Sequence, residues 1–169
     1  CVWRDKFPPD IASDVISDNN PNGSLTNSDL ELAAEVLAVG VILDRGPCVT
    51  HAPIGTLCDN TPTVSWVEKM ASKAKTPTAG AFMLHCQHAG RLTTIHVPGT
   101  DNVMADIASR PSKALAVFHA SSALSDTAFC SAFDSAFPLL DDQLWMLALT
   151  PPWVKSNVFE TLRGKRLKL

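Results

Sequence analysis

The sequence predicts an α/β layered domain, and three observations lead to it. Over the first 113 residues, short apolar runs alternate with helical periodicity in the order strand, helix, strand, helix, helix, strand, helix. The length of 169 residues corresponds to about one domain. The hydrophobic fraction of 46% is ordinary for a globular protein and argues against wholesale disorder.

The first elements follow from the placement of apolar and turn-forming residues. Cys1–Phe7 has the pattern of a strand, which Pro8 and Pro9 would stop. A helix is predicted to start near Ser28, because Ser28 and Glu31 form a capping-box pattern. Apolar residues then recur at helical spacing, which extends the predicted helix over several turns.

A second strand is predicted at Ile54–Cys58, a short apolar run that ends at Asp59. Thr61 and Pro62 then predict a helix start, with a hydroxyl cap followed by proline at the first helical position. The later predicted elements are a loop at Lys73–Thr78, a helix at Ala79–Ala89, a strand at Leu92–Val97, a helix at Val103–Arg110 capped by Asp101, and helices near 125–136 and 153–163.

Charge is spread unevenly along the chain, and this predicts a domain edge near residue 113. Residues 1–113 hold nine basic and twelve acidic residues, residues 114–154 hold four Asp and no Lys or Arg, and residues 155–169 hold five basic residues and one Glu. We therefore expect one domain over 1–112 and a helical extension or linker over 113–169. The basic C-terminus would suit either a nucleic-acid contact or a solvated, frayed end.

Cysteine usage and the absence of targeting patterns predict an intracellular protein, without distinguishing cytoplasm from nucleus. The five Cys are scattered with no Cys-x-x-Cys pair, which fits free thiols better than a disulfide framework. No signal-peptide pattern stands at the first residues, and no apolar run reaches the roughly 18 residues of a membrane span. We accordingly expect no membrane partner.

Three carboxylates stand where they could hold metal ions. Asp59 follows a predicted strand, at the edge where open α/β sheets bind ligands. Glu31 lies at the start of the first long helix, and Asp106 lies in the short helix after the last strand. Clustered carboxylates need cations between them, and Mg²⁺ prefers such oxygen ligands. Each also has a plainer interpretation: Glu31 completes a capping box, Asp59 starts a turn, and Asp106 is a surface acid.

Local strings around these acids resemble a known family. They are Ser28-Asp-Leu-Glu-Leu-Ala-Ala34, Leu57-Cys-Asp-Asn-Thr61 and Ile95-His-Val-Pro-Gly-Thr-Asp-Asn-Val-Met-Ala-Asp-Ile-Ala-Ser-Arg110. In this order they resemble the ribonuclease H domain of gypsy-type and related retroelement polymerases. The resemblance covers residues 1 to about 112, and the last string is the most specific of the three.

The resemblance implies a three-layer, ribonuclease H-like fold with a mixed central sheet. It also implies that Glu31, Asp59 and Asp106 bind two Mg²⁺ ions and hydrolyse the RNA strand of RNA–DNA hybrids, beside an upstream reverse transcriptase domain of the same polyprotein. The family carries a fourth carboxylate, an Asp on its first strand, which no residue here matches. We therefore expect a chain that lacks the first strands of the fold and is inactive by itself.

Two other interpretations stay open. The chain could be a decayed, non-catalytic copy of the fold that serves as a connector or a scaffold for nucleic acid or a partner chain. It could also be an unrelated α/β domain, if the three carboxylates do not converge. A zinc site at His85, Cys86 and His88 is disfavoured, because the predicted helix turns Cys86 away from the two histidines and offers no second ligand pair.

Overall fold

A computed structural model describes residues 1–45, 53–68, 92–140 and 143–164, and shows a mixed α/β protein. The elements are β1 (Val2–Trp3), α1 (Pro9–Ala12), α2 (Asn27–Arg45), β2 (Ile54–Cys58), α3 (Thr61–Glu68), β3 (Leu92–His96), α4 (Val103–Ser109), α5 (Pro111–Val117), α6 (Asp126–Ala136), β4 (Leu147–Ala148) and α7 (Pro152–Leu162). The predicted loop at Lys73–Thr78 and helix at Ala79–Ala89 lie outside the described residues.

The chain divides into two compact units. Unit 1 contains Cys1–Asp5 and Pro98–Leu149, and unit 2 contains Lys6–Val97 and Thr150–Leu169. The predicted division after residue 112 and the ribonuclease H-like arrangement of layers both stay predictions.

A parallel pair of strands forms the sheet of unit 2. Ile54 of β2 is in register with Leu92 of β3, and Cys58 with His96. Val97 N–H then donates to Cys58 C=O at 3.0 Å, which extends the pairing one residue beyond β3. The bounds predicted for β2 are confirmed, and those for β3 are confirmed to within one residue. Because the strands are parallel, both end at the same edge, beside Asp59.

Helix α2 begins where a capping box forms, but the box is not the predicted one. Thr26 Oγ1 accepts from Asp29 N–H at 3.3 Å, and Asp29 Oδ2 accepts from Thr26 N–H at 2.7 Å. The predicted box of Ser28 and Glu31 is therefore wrong by two residues. Both residue pairs could form a capping box. The box that forms uses Asp29, which is almost fully buried. Glu31 consequently lies within the helix, past its cap.

The core of unit 2 is aliphatic and lies along α2. Helix α2 packs against α7, and the closest approach is at Gly40. A Cβ at that position would lie 2.7 Å from Val154 Cγ1, so a side chain there would collide with α7. Arg163, just after α7, binds Asp10 of α1 through Nε at 2.6 Å. The buried aliphatic residues of α2 are Leu32, Ala33, Val36, Leu37, Val39 and Val41.

Helix α3 is confirmed, with a different residue as its cap. Asn60 Oδ1 accepts from Thr63 N–H and from Thr63 Oγ1, both at 3.0 Å, so Asn60 caps the helix and Thr61 is its first residue. The predicted cap at Thr61 is wrong by one residue, because the Asn60 side chain also suits an N-cap. Thr63 Oγ1 further donates to Ser28 C=O at 3.4 Å, which joins the first turns of α2 and α3.

Unit 1 holds a second, shorter parallel pair. Val2 and Trp3 of β1 are in register with Leu147 and Ala148 of β4. The strand predicted over Cys1–Phe7 is thus reduced to two residues. The predicted start is correct to within one residue and the predicted length is too long, because a sequence pattern alone does not supply a strand partner.

The core of unit 1 is aromatic. Phe133 is 1% exposed, and its ring centroid lies 5.5 Å from that of Phe129, 4.8 Å from Phe137 and 5.2 Å from Trp145. Trp145 Nε1–H donates to Phe137 C=O at 2.6 Å, so the half-buried indole has a polar partner. The Arg4 guanidinium lies 4.0 Å above the Phe129 ring.

Helices α4 and α6 of unit 1 were predicted, whereas α5 was not, because Arg110-Pro111-Ser112 was interpreted as the end of a helix and Pro111 instead begins one. Ser125 caps α6, and its side chain accepts from Ala128 N–H at 3.2 Å. For α4 the cap position is Asn102, without a side-chain cap hydrogen bond, so the predicted cap at Asp101 is wrong. Asp101 lies in the turn before the helix, where its N–H donates to Pro98 C=O at 2.8 Å.

Candidate functional site

Asp59 lies at the carboxyl end of β2, as predicted. It is exposed and stands between the strand and the Asn60 cap of α3. Side chains at this edge of a parallel sheet point away from the ladder and are accessible to ligands. Asp59 therefore has the position that a metal-binding carboxylate requires.

Glu31 lies in the first turns of α2 and is half-buried. The capping box does not use it, since Thr26 and Asp29 supply both partners. The hydrogen bond from Thr63 to Ser28 holds this end of α2 against the start of α3, which follows Asp59 by two residues. The local structure thus brings the ends that carry Glu31 and Asp59 together.

The pKa of the Cys58 thiol is affected by the acidic side chains near the end of β2. Burial, opposed by a backbone hydrogen bond from Asn60, raises the pKa of Cys58 to about 11, and the negative charges of Glu35, Glu31 and Asp59 contribute to the rise. Each of these carboxylates therefore lies near enough to the Cys58 sulfur to act on it electrostatically. The thiol stays protonated at neutral pH, so Cys58 is not a nucleophile here. The region around it carries negative charge.

Glu35 belongs to the same region and was not predicted. Thr94 Oγ1 of β3 donates to its Oε1 at 3.3 Å, and Thr94 Oγ1 shares a hydrogen bond of 2.9 Å with Thr56 Oγ1 of β2. Burial raises the pKa of Glu35, and the hydrogen bonds of Thr56 and Thr94 partly offset the rise. Its place four residues after Glu31, on the same face of a helix, was a signal that the sequence contained.

Asp106 lies in unit 1, where two cations occupy its carboxylate. Arg110 Nε is 2.8 Å from Asp106 Oδ1, and Lys113 Nζ pairs with Oδ2. These partners hold the pKa of Asp106 below its ordinary value, with the Lys113 hydrogen bond the largest cause. The pairs connect α4 to α5, which agrees with the plainer interpretation of Asp106 as a surface acid.

Glu31, Glu35 and Asp59 thus all lie in unit 2 within electrostatic range of Cys58, and Asp106 lies in unit 1. Within the described part of either unit, no three His, Cys, Asp or Glu side chains are grouped so that they could hold a metal ion. The carboxylate oxygens of Glu31 and Asp59 are nonetheless the ligand type that suits a hard cation. The chemistry that this pair can perform is cation binding at the end of a parallel sheet.

The candidate zinc ligands His85, Cys86 and His88 lie outside the described residues. Among the helices of the described ranges, none is long and apolar enough to cross a membrane. Comparison of the chain with protein-family models, with curated proteins and with solved structures found no significant match.

Proposed function

We propose that this chain forms part of a ribonuclease H-like nuclease of a retroelement polymerase, which hydrolyses the RNA strand of RNA–DNA hybrids. The observation that supports the proposal is the position of Asp59 at the end of β2, two residues before α3, whose Thr63 contacts Ser28 C=O in the first turn of α2 near Glu31. Two separate sequence strings predict these two acids as metal ligands.

The donor set fits Mg²⁺, which takes oxygen ligands and commonly uses few protein carboxylates beside substrate phosphate oxygens. A pair of such ions, when bound, supplies an activated water and charge stabilisation at the leaving oxygen. In this proposal Glu31 and Asp59 would hold and orient the cations. The hybrid is recognised by its shape and its 2′-hydroxyl groups.

A non-catalytic scaffold is the second candidate, and one observation favours it. Both oxygens of Asp106 are engaged by Arg110 and Lys113, so metal binding at Asp106 would have to displace two cations. A decayed copy of the fold would keep such structural ion pairs after losing activity.

The test is cleavage of a hybrid that carries its label on the RNA strand. The chain is compared with a chimera in which two strands bearing the fourth Asp, from a gypsy-type ribonuclease H domain, precede Cys1. Asp59→Asn is made in the chimera, with Asp18→Asn as the matched control in an exposed turn. We expect Mg²⁺-dependent cleavage by the chimera and by its Asp18 variant, and a loss of at least about 100-fold with Asp59→Asn.

A chimera that folds, as judged by circular dichroism, and still does not cut would contradict the nuclease proposal. In that case hybrid binding by the unmodified chain, measured by fluorescence polarisation, would support the scaffold.

A further inference from the structure

The loop between α1 and α2 in unit 2 carries the dipeptide Asn22-Gly23. Asn22 lies in a turn and is exposed, and Gly23 is half-buried. The loop is closed at its base, where Leu25 N–H donates to Asp14 C=O at 3.1 Å and Ile16 N–H donates to Leu25 C=O at 2.7 Å. The turn is therefore held in place while water reaches the Asn22 side chain.

The fold requires a residue without a side chain after Asn22. A Cβ on Gly23 would lie 2.8 Å from Ile16 N and 2.8 Å from Asn20 Nδ2, and closer still to Asp14 C=O. Any larger residue would collide with these atoms, so glycine is the residue that fits here. As a consequence, no side chain of its own shields the Gly23 backbone nitrogen.

The hydrogen bond of the Gly23 nitrogen is weak. Gly23 N–H donates to Asn20 C=O at 3.3 Å, whereas ordinary N–H···O bonds end at about 3.2 Å. The same carbonyl accepts from Ser17 N–H at the shorter distance of 3.1 Å. This bond therefore does little to keep the proton on the Gly23 nitrogen.

The other asparagines lack this combination of features. Asparagine is among the chemically labile residues of proteins, but its surroundings decide whether it reacts. Asn22 alone among the asparagines of the sequence is followed by glycine, and Asn20 is followed by proline, whose nitrogen has no proton to lose. Asn60 is held at the start of α3, where its Oδ1 accepts from Thr63 N–H and Oγ1–H, both at 3.0 Å.

We propose that Asn22 is a modification site, at which spontaneous deamidation converts asparagine to aspartate and isoaspartate. The Gly23 nitrogen loses its proton to base and attacks Asn22 Cγ. The bond from Cγ to the side-chain nitrogen breaks, and this nitrogen takes up a proton from water and leaves as ammonia. The product is a cyclic imide that joins Cγ to the Gly23 nitrogen. This site is independent of the nuclease proposal.

Water then opens the imide at one of its two carbonyl carbons by breaking the bond from that carbon to the nitrogen. Opening at Cγ gives aspartate, and opening at the main-chain carbonyl carbon gives isoaspartate. The net change is the gain of one water molecule and the loss of one ammonia molecule, and no group is oxidised or reduced.

The two products change the loop differently. Aspartate adds a negative charge at an exposed position and leaves the backbone unaltered. Isoaspartate adds one carbon to the main chain before the tightly enclosed Gly23. The next residues are Ser24, whose N–H donates to Asp14 Oδ1 at 3.2 Å, and Leu25, which is 1% exposed. We therefore expect isoaspartate, and not aspartate, to destabilise the loop.

The test is incubation of the folded full chain in mildly alkaline buffer, followed by proteolytic digestion and mass spectrometry, with isoaspartate measured by enzymatic methylation. The same chain unfolded in guanidinium chloride is the reference. We expect Asn22 to react faster than every other asparagine of the folded chain and within about tenfold of its rate in the unfolded chain. A larger protection by folding, or faster reaction at another asparagine, would overturn the proposal.

Variants locate the reaction and separate its two products. Asn22→Gln should abolish isoaspartate formation, because its longer side chain would have to close a larger ring. Asn19→Gln, in an exposed turn of the same loop, is the matched control and should leave it unchanged. Freshly prepared Asn22→Asp should melt with the fresh wild type, and aged wild type rich in isoaspartate should melt at a lower temperature. Isoaspartate that persists in Asn22→Gln, or equal melting of aged and fresh wild type, would contradict this assignment.

Discussion

The two units surround their acidic side chains in opposite ways. In unit 2, Glu35 is half-buried and its partners are the neutral hydroxyls of Thr94 and Thr56. In unit 1, Asp106 contacts the cations Arg110 and Lys113. The pKa is consequently raised for the first carboxyl and lowered for the second. The environment, more than the residue type, decides which carboxylate gains from an added cation.

The cores of the two units also differ in kind. In unit 1, four aromatic rings surround Phe133, those of Phe118, Phe129, Phe137 and Trp145, whereas in unit 2 the helices α2 and α7 approach closely at Gly40. A core of aromatic rings is destabilised when a substitution leaves a cavity. A close contact between helices is destabilised when a substitution adds atoms that the space cannot hold. Opposite kinds of substitution should therefore damage the two units.

The largest effect is expected from Phe133→Ala in unit 1. Removing the ring leaves a cavity among Phe129, Phe137 and Trp145, and we expect a loss of about 3–5 kcal/mol in the free energy of unfolding. Urea denaturation followed by tryptophan fluorescence measures the loss. The control is Leu140→Ala, at a side chain that is 85% exposed, which should cost less than about 0.5 kcal/mol. Equal costs for the two variants would contradict the aromatic core.

Gly40→Ala should destabilise unit 2 by adding volume at the contact between α2 and α7. The added methyl group would lie within 2.8 Å of both γ-methyl groups of Val154, and we expect a cost of about 1–3 kcal/mol from overpacking. A double-mutant cycle with Val154→Ala tests the cause, because the smaller residue restores the space. Additive costs in the cycle would mean that the two helices do not meet at Gly40.

The pH dependence of the stability of Glu35→Gln tests the raised pKa of the Glu35 carboxyl. Because folding raises the pKa of Glu35, its contribution to stability is fully present below the ordinary pKa of a Glu and is lost as pH rises through the folded value. Gln mimics the protonated form at every pH. We therefore expect the variant to match the wild type near pH 4 and to melt at a higher temperature at neutral pH, as measured by differential scanning calorimetry.

Glu68→Gln on the exposed end of α3 is the matched control for Glu35, and it should change the melting temperature little at either pH. A Glu35 variant that is less stable than the wild type at neutral pH would contradict the buried, neutral setting of this carboxyl.

Asp106→Asn should give the smallest change. The pKa of Asp106 is lowered, so its contribution is present above the ordinary pKa of an Asp and is lost as pH falls through the folded value. We expect slight destabilisation at neutral pH and low salt that disappears in about 1 M NaCl, because exposed ion pairs are weak and screened. A salt-independent loss of melting temperature would contradict a role limited to these ion pairs.

The sequence was sufficient for most local elements of the fold. The apolar run of β2 has Pro before it and Asp59-Asn60 after it, so its bounds were predicted correctly. Caps were predicted less well, because neighbouring residues such as Thr26 and Ser28 have the same hydroxyl chemistry, and packing selects between them. The division into two units depends on contacts between distant segments, which local patterns do not contain.

Prediction of the candidate site was limited in the same way, because local sequence patterns do not contain contacts between distant segments. Glu31 and Asp59 were predicted because each stands in a recognisable local string. Glu35 was missed because its burial depends on Thr94, which lies 59 residues further along the chain. The ion pairs of Asp106 were also not predicted, although Arg110 stands four residues away and within one helical turn.

The most direct test of the central claim is the broadening of backbone amide NMR signals by substoichiometric Mn²⁺, a paramagnetic substitute for Mg²⁺. A shared cation site at Glu31 and Asp59 predicts that signals around both residues broaden first and that Asp59→Asn abolishes this effect. Broadening that centres on the acidic turn at Asp14 and Asp18, or that Asp59→Asn leaves unchanged, would contradict the claim that this edge of the sheet is a cation site.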